Sequence, residues 1–157
     1  RESVFKRKYK NQFVILTVTY RLRKNPIFQT SYGAINEELE NLVREYFEKA
    51  GIASQVQYHI GNAMEIIPAI EGTFDLVFID ADKINYANYF DQVIDKVAKG
   101  GYILADNVLW SGKVIEEKQD KDTAALVAFN AKLMADPRVE TVMVPIRDGI
   151  LIARKTV

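Results

Sequence analysis

The sequence predicts an α/β fold with a mostly parallel sheet and an antiparallel hairpin at its C-terminal end. Helical and strand-like hydrophobic patterns alternate from Ile35 onward, which is typical of parallel β-α-β units. Two apolar runs, 74–79 and 102–105, end abruptly in polar side chains, as strands do at the ligand-binding edge of such sheets. The dipeptide Asp148–Gly149 separates two further apolar runs and indicates a hairpin.

The first predicted elements lie in residues 1–34. Phe13 to Leu22 is rich in β-branched and aromatic residues and predicts a strand, for which Val4–Phe5 is a short candidate partner. The triplet Lys24-Asn25-Pro26 interrupts the apolar pattern. We therefore expect a loop over residues 25–34.

A long helix is predicted next. Asn36 is a favourable N-cap, and two acids follow it. Apolar residues then recur at helical spacing from Leu39 to Ala50, and Gly51 ends the pattern. Residues 56–60 alternate in polarity and predict a strand.

A short helix and the rest of the sheet follow. Asn62, with Glu65 three residues later, resembles a capping box and begins a helix that Pro68 limits. The remaining elements, in chain order, are a strand over 74–79, a helix from Tyr86 to Val97 closed by Gly100–Gly101, a strand over 102–105, a helix containing Leu126, Phe129 and Leu133 that ends at Asp136–Pro137, and strands over 139–146 and 150–154.

The composition is that of a globular protein without cysteine chemistry. The 157 residues are 48% hydrophobic and 27% charged, and the net charge is zero. The absence of cysteine excludes disulfides, thiolate metal sites and a thiol nucleophile. No apolar run approaches the roughly 18 residues of a membrane-spanning helix, and no signal-peptide pattern is visible. We therefore expect a cytoplasmic protein without a membrane partner.

The charge is distributed unevenly. Residues 1–24 carry eight Lys or Arg and one acid, a net charge of +7 that the remainder balances. A basic arm is one signature of nucleic-acid binding. Here the cations alternate with apolar, strand-like residues, which favours a solvated pair of strands. A nucleic-acid partner is therefore not expected.

Oxygen-bearing side chains follow both central strands. Asp80 comes directly after the first apolar run, and Asp106 and Asn107 follow the second. Such a set could bind a hard cation such as Mg²⁺, Ca²⁺ or Mn²⁺. The ion would lower the pKa of a bound hydroxyl, and Lys83 is close enough in sequence to act as a base. The structural alternative is that these acids only end strands and cap helices.

Aromatic residues lie near the same strand ends in sequence. Tyr86, Tyr89 and Trp110 could line an aromatic substrate pocket or pack in the core, and we favour core packing for Tyr89. His59 alternates outward on its predicted strand and is expected on the surface. The turn that contains Ala63 ends a strand and begins a helix, so its backbone could approach a cofactor.

Three motifs carry a resemblance to a known family. They are FDLVFIDADK at Phe74–Lys83 with Asn85-Tyr86 after it, GYILADNVLWSG at Gly101–Gly112, and RDGILIARK at Arg147–Lys155. Through them residues 35–157 resemble the cation-dependent O-methyltransferases of the caffeoyl-CoA and catechol type. The resemblance implies a Rossmann-like fold that binds S-adenosylmethionine and transfers its methyl group to a hydroxyl of a small, catechol-like molecule.

The resemblance also implies roles for individual residues. It implies Asp80, Asp106 and Asn107 as ligands of a divalent cation and Lys83 as the catalytic base. The remaining implied roles are contact with S-adenosylmethionine for Ala63 and Asp82, and contact with the methyl acceptor for Tyr86, Trp110 and Ser111.

The N-terminal part departs from that family. The family's first strand and its glycine loop for the methionine part of the cofactor have no counterpart here, and Ala34 stands where the ribose-binding acid is expected. The family's N-terminal helices, which usually build the dimer, are missing as well. Residues 1–34 instead resemble a fragment of the flavoenzyme UDP-N-acetylenolpyruvoylglucosamine reductase. We interpret the chain as a chimera: an N-terminal β segment over 1–34, in place of the missing strand, and a truncated O-methyltransferase domain over 35–157.

Three functional hypotheses follow, of which a nucleic-acid-binding module that uses the basic segment at residues 1–24 is the least favoured. The first is an O-methyltransferase with impaired activity, since half of the cofactor site is absent and cofactor positioning supplies much of the rate. The alternative is a non-catalytic, recombinant scaffold without cofactor affinity. In either case exposed sheet edges favour association of copies, so we expect a homo-oligomer.

Overall fold

The computed structural model describes residues 13–15 and 37–157, which form two compact units. Residues 37–70 belong to the first unit, and residues 13–15 and 71–157 belong to the second. The predicted N-cap Asn36, the loop over 25–34 and the junction at Ala34 lie outside the described residues. No helix in the described ranges has the length and apolar character to cross a membrane.

The first unit contains helix α1, Glu37–Lys49, and helix α2, Ala63–Ala69. The exposed face of α1 carries ion pairs one turn apart, such as Arg44 with Glu40 at 2.7 Å. At the start of α2 the Asn62 carboxamide oxygen accepts a hydrogen bond from the Met64 N–H at 3.0 Å, as a capping residue does. Both predicted helices are therefore confirmed.

The strand predicted at residues 56–60 is wrong. The structure has a short 3₁₀ turn at Ala53–Gln55 and then an irregular segment. A strand needs a neighbouring strand to satisfy its backbone groups, and no strand pairs with this segment in the part of the chain that the structure describes. Tyr58 packs edge-on against Phe47 of α1 at 5.7 Å between ring centroids, and His59 is exposed as expected.

The second unit is built on a five-stranded sheet. Its strands are β1, Phe13–Ile15; β2, Phe74–Ile79; β3, Val97–Asp106; β4, Val139–Val144; and β5, Ile150–Lys155. In the spatial order β1-β2-β3-β5-β4, the first three strands are parallel, and β5 is antiparallel to both β3 and β4. The predicted parallel sheet with a C-terminal antiparallel hairpin is confirmed.

Strand β1 lies beside β2, in the place predicted for the N-terminal β segment. Phe13 is paired with Leu76 and Ile15 with Phe78. The predicted strand runs from residue 13 to residue 22, and its part beyond Ile15 lies outside the described residues. The predicted partner strand at Val4–Phe5 lies outside them as well.

The boundary between α3, Tyr86–Val93, and β3 differs from the prediction. The α-helix ends at Val93, a 3₁₀ turn follows over Ile94–Lys96, and Val97 already pairs with Phe74 of β2. Pairing then jumps to Leu76 with Tyr102, so β3 bulges between these positions. Gly100, at φ +82°, adopts the conformation that the bulge needs. The glycine pair therefore shapes a strand and does not close a helix.

The core of this unit joins the sheet to α3 and to α4, Lys121–Ala135. Buried residues lie in register across β2, β3 and β5 and alternate with less buried ones. From the helices, the ring of Tyr86 packs edge-on against Phe129, with 5.3 Å between centroids. Asp120 caps α4 by accepting the Thr123 N–H at 2.8 Å. The helix predicted around Phe129 is thus confirmed, and α3 is fixed next to the strand ends.

Candidate active site

The C-terminal ends of β2 and β3 bring together polar residues that are distant in sequence. Ile79 is paired with Ala105, so Asp80 and Asp106 are the next residues on two adjacent parallel strands. Asn107 follows Asp106 in a left-handed conformation at φ 60°, and its N–H donates to Oδ1 of Asp106 at 2.7 Å. The two strand ends therefore form one cluster, as predicted for parallel neighbours.

The side chain of Lys83 lies in the middle of this cluster. Its Nζ donates to Oδ1 of Asn107 at 3.2 Å and lies 3.5 Å from Oδ1 of Asp80. It also donates to the hydroxyl of Tyr86. Only 7% of Lys83 is exposed. The lysine thus connects the end of β2 to the end of β3 and places a cationic group among oxygen atoms.

Two opposing effects act on the amine of Lys83. Burial lowers its pKa, because a charged ammonium loses hydration in a site that is closed to water. The negative charges of Asp80, Asp106 and Asp148 raise the pKa, but burial outweighs them. The net lowering means that Lys83 reaches its neutral form, which can accept a proton, at a lower pH than an exposed lysine does.

Tyr86 is fully buried, and the contact with the methyl acceptor that the resemblance implies for it stays a prediction. Its hydroxyl accepts from Lys83 and donates to the backbone carbonyl of Asp106 at 3.0 Å. Burial raises the pKa of this hydroxyl, and the nearby carboxylate of Asp80 raises it further, so it stays protonated. Tyr86 therefore supports Lys83 from the core side. The spacing of three residues between them is a sequence signal for such a contact.

Trp110 and Ser111 lie in the loop that follows β3. The indole ring of Trp110 has its centroid 5.6 Å from Nζ of Lys83, within the range of a cation–π contact. Ser111 is exposed, and its N–H donates to the carboxylate of Asp148. The sequence predicts Asp148 in a hairpin turn and in the motif Arg147–Lys155, but gives it no role at the site. The pairing of β3 with β5 brings its turn to this loop.

The two predicted cofactor contacts lie in different parts of the molecule. Asp82 lies just after β2, where its carboxylate accepts hydrogen bonds from the Tyr89 hydroxyl at 2.6 Å and from the Asn85 amide. Tyr89 is buried, in line with the favoured core packing. Ala63 is the first residue of α2, in the other unit.

The donor atoms at the strand ends fit a hard cation. Within residues 13–15 and 37–157, no three His, Cys, Asp or Glu side chains converge on one point. The amide oxygen of Asn107 would therefore have to complete the set with Asp80 and Asp106. Two carboxylates and an amide are ligands that suit Mg²⁺, Ca²⁺ or Mn²⁺. The amine nitrogen of Lys83 lies at hydrogen-bonding distance from Asn107 and 3.5 Å from Asp80, so these oxygens already face a group that can carry positive charge.

The fold is that of an α/β methyltransferase. A family model described as O-methyltransferase matches residues 16–156, and the chain belongs to this family. The match begins upstream of the predicted junction near residues 34 and 35. That junction, with the chimera and the domain boundary that depend on it, stays a prediction.

Individual relatives agree with this assignment. The chain is 41% identical to Tricin synthase 2 of Oryza sativa subsp. japonica over 134 residues, 73% of this chain and 46% of the relative. It is 36% identical to Caffeoyl-CoA O-methyltransferase 5 of Nicotiana tabacum, over 77% of this chain and 56% of the relative. The SAH-bound structure of the Podospora anserina methyltransferase PaMTH1 is similar, with a TM-score of 0.68, 32% identity, and coverage of 78% of this chain and 58% of that one. The chain spans about half the length of the curated relatives it matches.

Proposed function

We propose that this chain carries the catalytic half of an S-adenosylmethionine-dependent, divalent-cation-dependent O-methyltransferase that acts on a catechol-like hydroxyl. The observation that carries the proposal is the convergence of Lys83 with Asp80 and Asn107 at adjacent strand ends. A buried amine with a lowered pKa next to oxygen ligands is an arrangement suited to deprotonating a hydroxyl.

Each residue of the cluster has a distinct task in this proposal. Asp80, Asp106 and Asn107 would hold the cation, which would polarise the acceptor hydroxyl. The neutral amine of Lys83 accepts the hydroxyl proton. S-adenosylmethionine, when bound, would supply the methyl group to the freed oxygen and leave as S-adenosylhomocysteine. Trp110 and Ser111 border the acceptor.

The cofactor side of the proposal rests on Asp82 and Ala63. SAH-bound and SAM-bound relatives of similar fold support S-adenosylmethionine as the methyl donor. The hydrogen bonds from Tyr89 and Asn85 hold the carboxylate of Asp82 in one orientation. Because the sequence lacks the family's glycine loop, we expect weaker cofactor binding than in the full-length relatives.

The second candidate function is the non-catalytic scaffold without cofactor affinity. In the cluster Lys83 donates to Asn107, and Tyr89 donates to Asp82. Hydrogen bonds of this kind can stabilise a fold without any ligand. A homo-oligomer, a cytoplasmic location and the absence of nucleic-acid binding belong to both alternatives as predictions.

Calorimetric titration of S-adenosylmethionine into the folded chain, with and without Mg²⁺, separates the two functions. Binding in the micromolar range, followed by saturable methylation of a catechol that requires Mg²⁺, is the result expected for the enzyme. The variant Asp80→Asn should lose both Mg²⁺ binding and Mg²⁺-dependent methylation. Asp75→Asn, which changes an exposed acid of β2, should retain both. No heat of binding from a chain with a cooperative thermal transition would leave the scaffold as the function.

A further inference from the structure

The hairpin turn between β4 and β5 is hydrogen-bonded to the loop that follows β3. The N–H of Val108 donates to the carbonyl of Gly149 at 3.2 Å, and the N–H of Leu109 donates to the carbonyl of Asp148 at 2.9 Å. The carboxylate of Asp148 then accepts the N–H of Ser111. One turn residue thus binds the loop on both sides of Trp110, through its backbone and its side chain.

The loop backbone needs such restraint. Trp110 has φ 48° and Ser111 has φ 56°, the left-handed region that side chains other than glycine avoid. Consecutive residues in this conformation persist only where surrounding contacts determine them. The hydrogen bond from the Ser111 N–H to Asp148 acts at this strained pair.

The turn also fits closely against the loop. A Cβ atom on Gly149 would lie 2.4 Å from Cγ of Leu109, so only glycine permits the observed approach. The amide of Asn130 on α4 also donates to the carbonyl of Val108 at 3.0 Å. The loop that contains Trp110 is therefore hydrogen-bonded both to the hairpin turn and to α4.

We infer that Asp148 is a positioning residue that holds the indole ring of Trp110 beside Lys83 and so shapes the acceptor side of the site. Its effect on catalysis rests on the proposed function. Its effect on the position of Trp110 does not, because the hydrogen bonds belong to the chain itself. The motif at Arg147–Lys155 thereby has a role besides forming a hairpin.

Fluorescence tests the inference, since Trp110 is the sole tryptophan of the 157 residues. We expect Asp148→Ala to increase the acrylamide quenching constant of the purified chain at least twofold and to shift the emission to longer wavelength. Asp148→Asn, which keeps an oxygen acceptor for Ser111, should match the unsubstituted chain. The control Glu117→Ala removes an exposed acid from the following segment and should change neither signal.

Two outcomes would overturn the inference: unchanged quenching in a folded Asp148→Ala chain, or equal changes in Asp148→Ala and Asp148→Asn, which would assign the effect to charge. If Asp148→Ala does not give a native circular dichroism spectrum, Gly149→Ala supplies the test, because it displaces the turn and keeps the carboxylate. It should raise the quenching constant in the same way, and an unchanged constant would again contradict the inference.

A kinetic measurement adds the link to catalysis. In an active chain, Asp148→Ala should raise KM for the acceptor about tenfold and leave the affinity for S-adenosylmethionine unchanged. Equal losses in both affinities would contradict a role specific to the acceptor side. If the chain has no activity, the proposed function fails, and the fluorescence result still decides whether Asp148 positions Trp110.

Discussion

The amine nitrogen of Lys83 lies 3.2 Å from Oδ1 of Asn107, although the two residues come from different strand ends. The parallel pairing of β2 with β3 produces this proximity. The same nitrogen lies 3.5 Å from Asp80. Two of the oxygens proposed to bind a cation are therefore neighbours of an ammonium group. Cation binding and the protonation of Lys83 should consequently oppose each other.

The first prediction concerns cation affinity. Lys83→Met removes a positive charge from the proposed ligand cluster and should tighten Mn²⁺ binding by at least about tenfold, because two unit charges about 4 Å apart repel by about 1 kcal/mol even in water and the ion carries two charges. The free Mn²⁺ signal in electron paramagnetic resonance measures this change. Lys99→Met, at an exposed position of β3, is the control and should leave the affinity as it is. Weaker Mn²⁺ binding in Lys83→Met would contradict the prediction.

The second prediction is a pH dependence of the same binding. Burial lowers the pKa of Lys83, so its ammonium loses a proton at a lower pH than an exposed lysine does. Loss of that charge should strengthen Mn²⁺ binding as the pH rises through this transition. In Lys83→Met that contribution should disappear, which separates Lys83 from the titration of the carboxylates. An identical pH profile in both chains would show that Lys83 does not compete with the cation.

The third prediction concerns the hydroxyl of Tyr86, which connects Lys83 to the backbone of Asp106. Tyr86→Phe leaves both partners without this hydroxyl in a buried site and should lower the free energy of unfolding by about 1–3 kcal/mol. Urea unfolding measures the loss. Tyr102→Phe, at a position of β3 that is 40% exposed, should change it by less than about 0.5 kcal/mol. Equal effects of the two substitutions would refute a structural role for the Tyr86 hydroxyl.

The fourth prediction concerns the hydroxyl of Tyr89, which donates to Asp82 at 2.6 Å. Tyr89→Phe frees one oxygen of Asp82 and should weaken S-adenosylmethionine binding by roughly two- to tenfold, the worth of one hydrogen bond. Isothermal titration measures it. Tyr46→Phe, at an exposed position of α1, provides the comparison and should bind as tightly as the unsubstituted chain. Unchanged S-adenosylmethionine binding in Tyr89→Phe would show that the hydrogen bond from Tyr89 to Asp82 does not contribute to cofactor affinity.

The fifth prediction concerns the bulge in β3. A Cβ atom on Gly101 would lie 2.8 Å from Cγ1 of Val97 and 2.9 Å from the carbonyl oxygen of Ala98. Gly101→Ala should therefore destabilise the chain by about 1–3 kcal/mol through overpacking. Gly72→Ala meets no atom within 4 Å and isolates the cost of a positive φ, about 1–2 kcal/mol. A Gly101→Ala chain as stable as the unsubstituted one would show that the bulge can relax.

The sequence alone determined the fold class and the identity of the cluster. Helical periodicity predicted α1 and α4, the capping-box pattern predicted α2, and the Asp-Gly signal predicted the hairpin, because these patterns depend on residues close together in the chain. Asp80 and Asp106 each follow an apolar run, and this position predicted that they lie close together, because parallel strands end at one edge of the sheet.

Tertiary structure decided what depends on pairing and burial. The alternating pattern at residues 56–60 predicts a strand, but no strand pairs with it in the described ranges. The helix that ends at Val93 gives way to β3 because Val97 pairs with Phe74. Tyr86 supports Lys83 from the core because its ring is buried there. Asp148 binds the loop of Trp110 through a contact with Ser111, which is distant in sequence. The local sequence pattern specifies whether a segment favours a helix or a strand. Only the packed sheet specifies which segments lie next to each other and which groups their polar side chains contact.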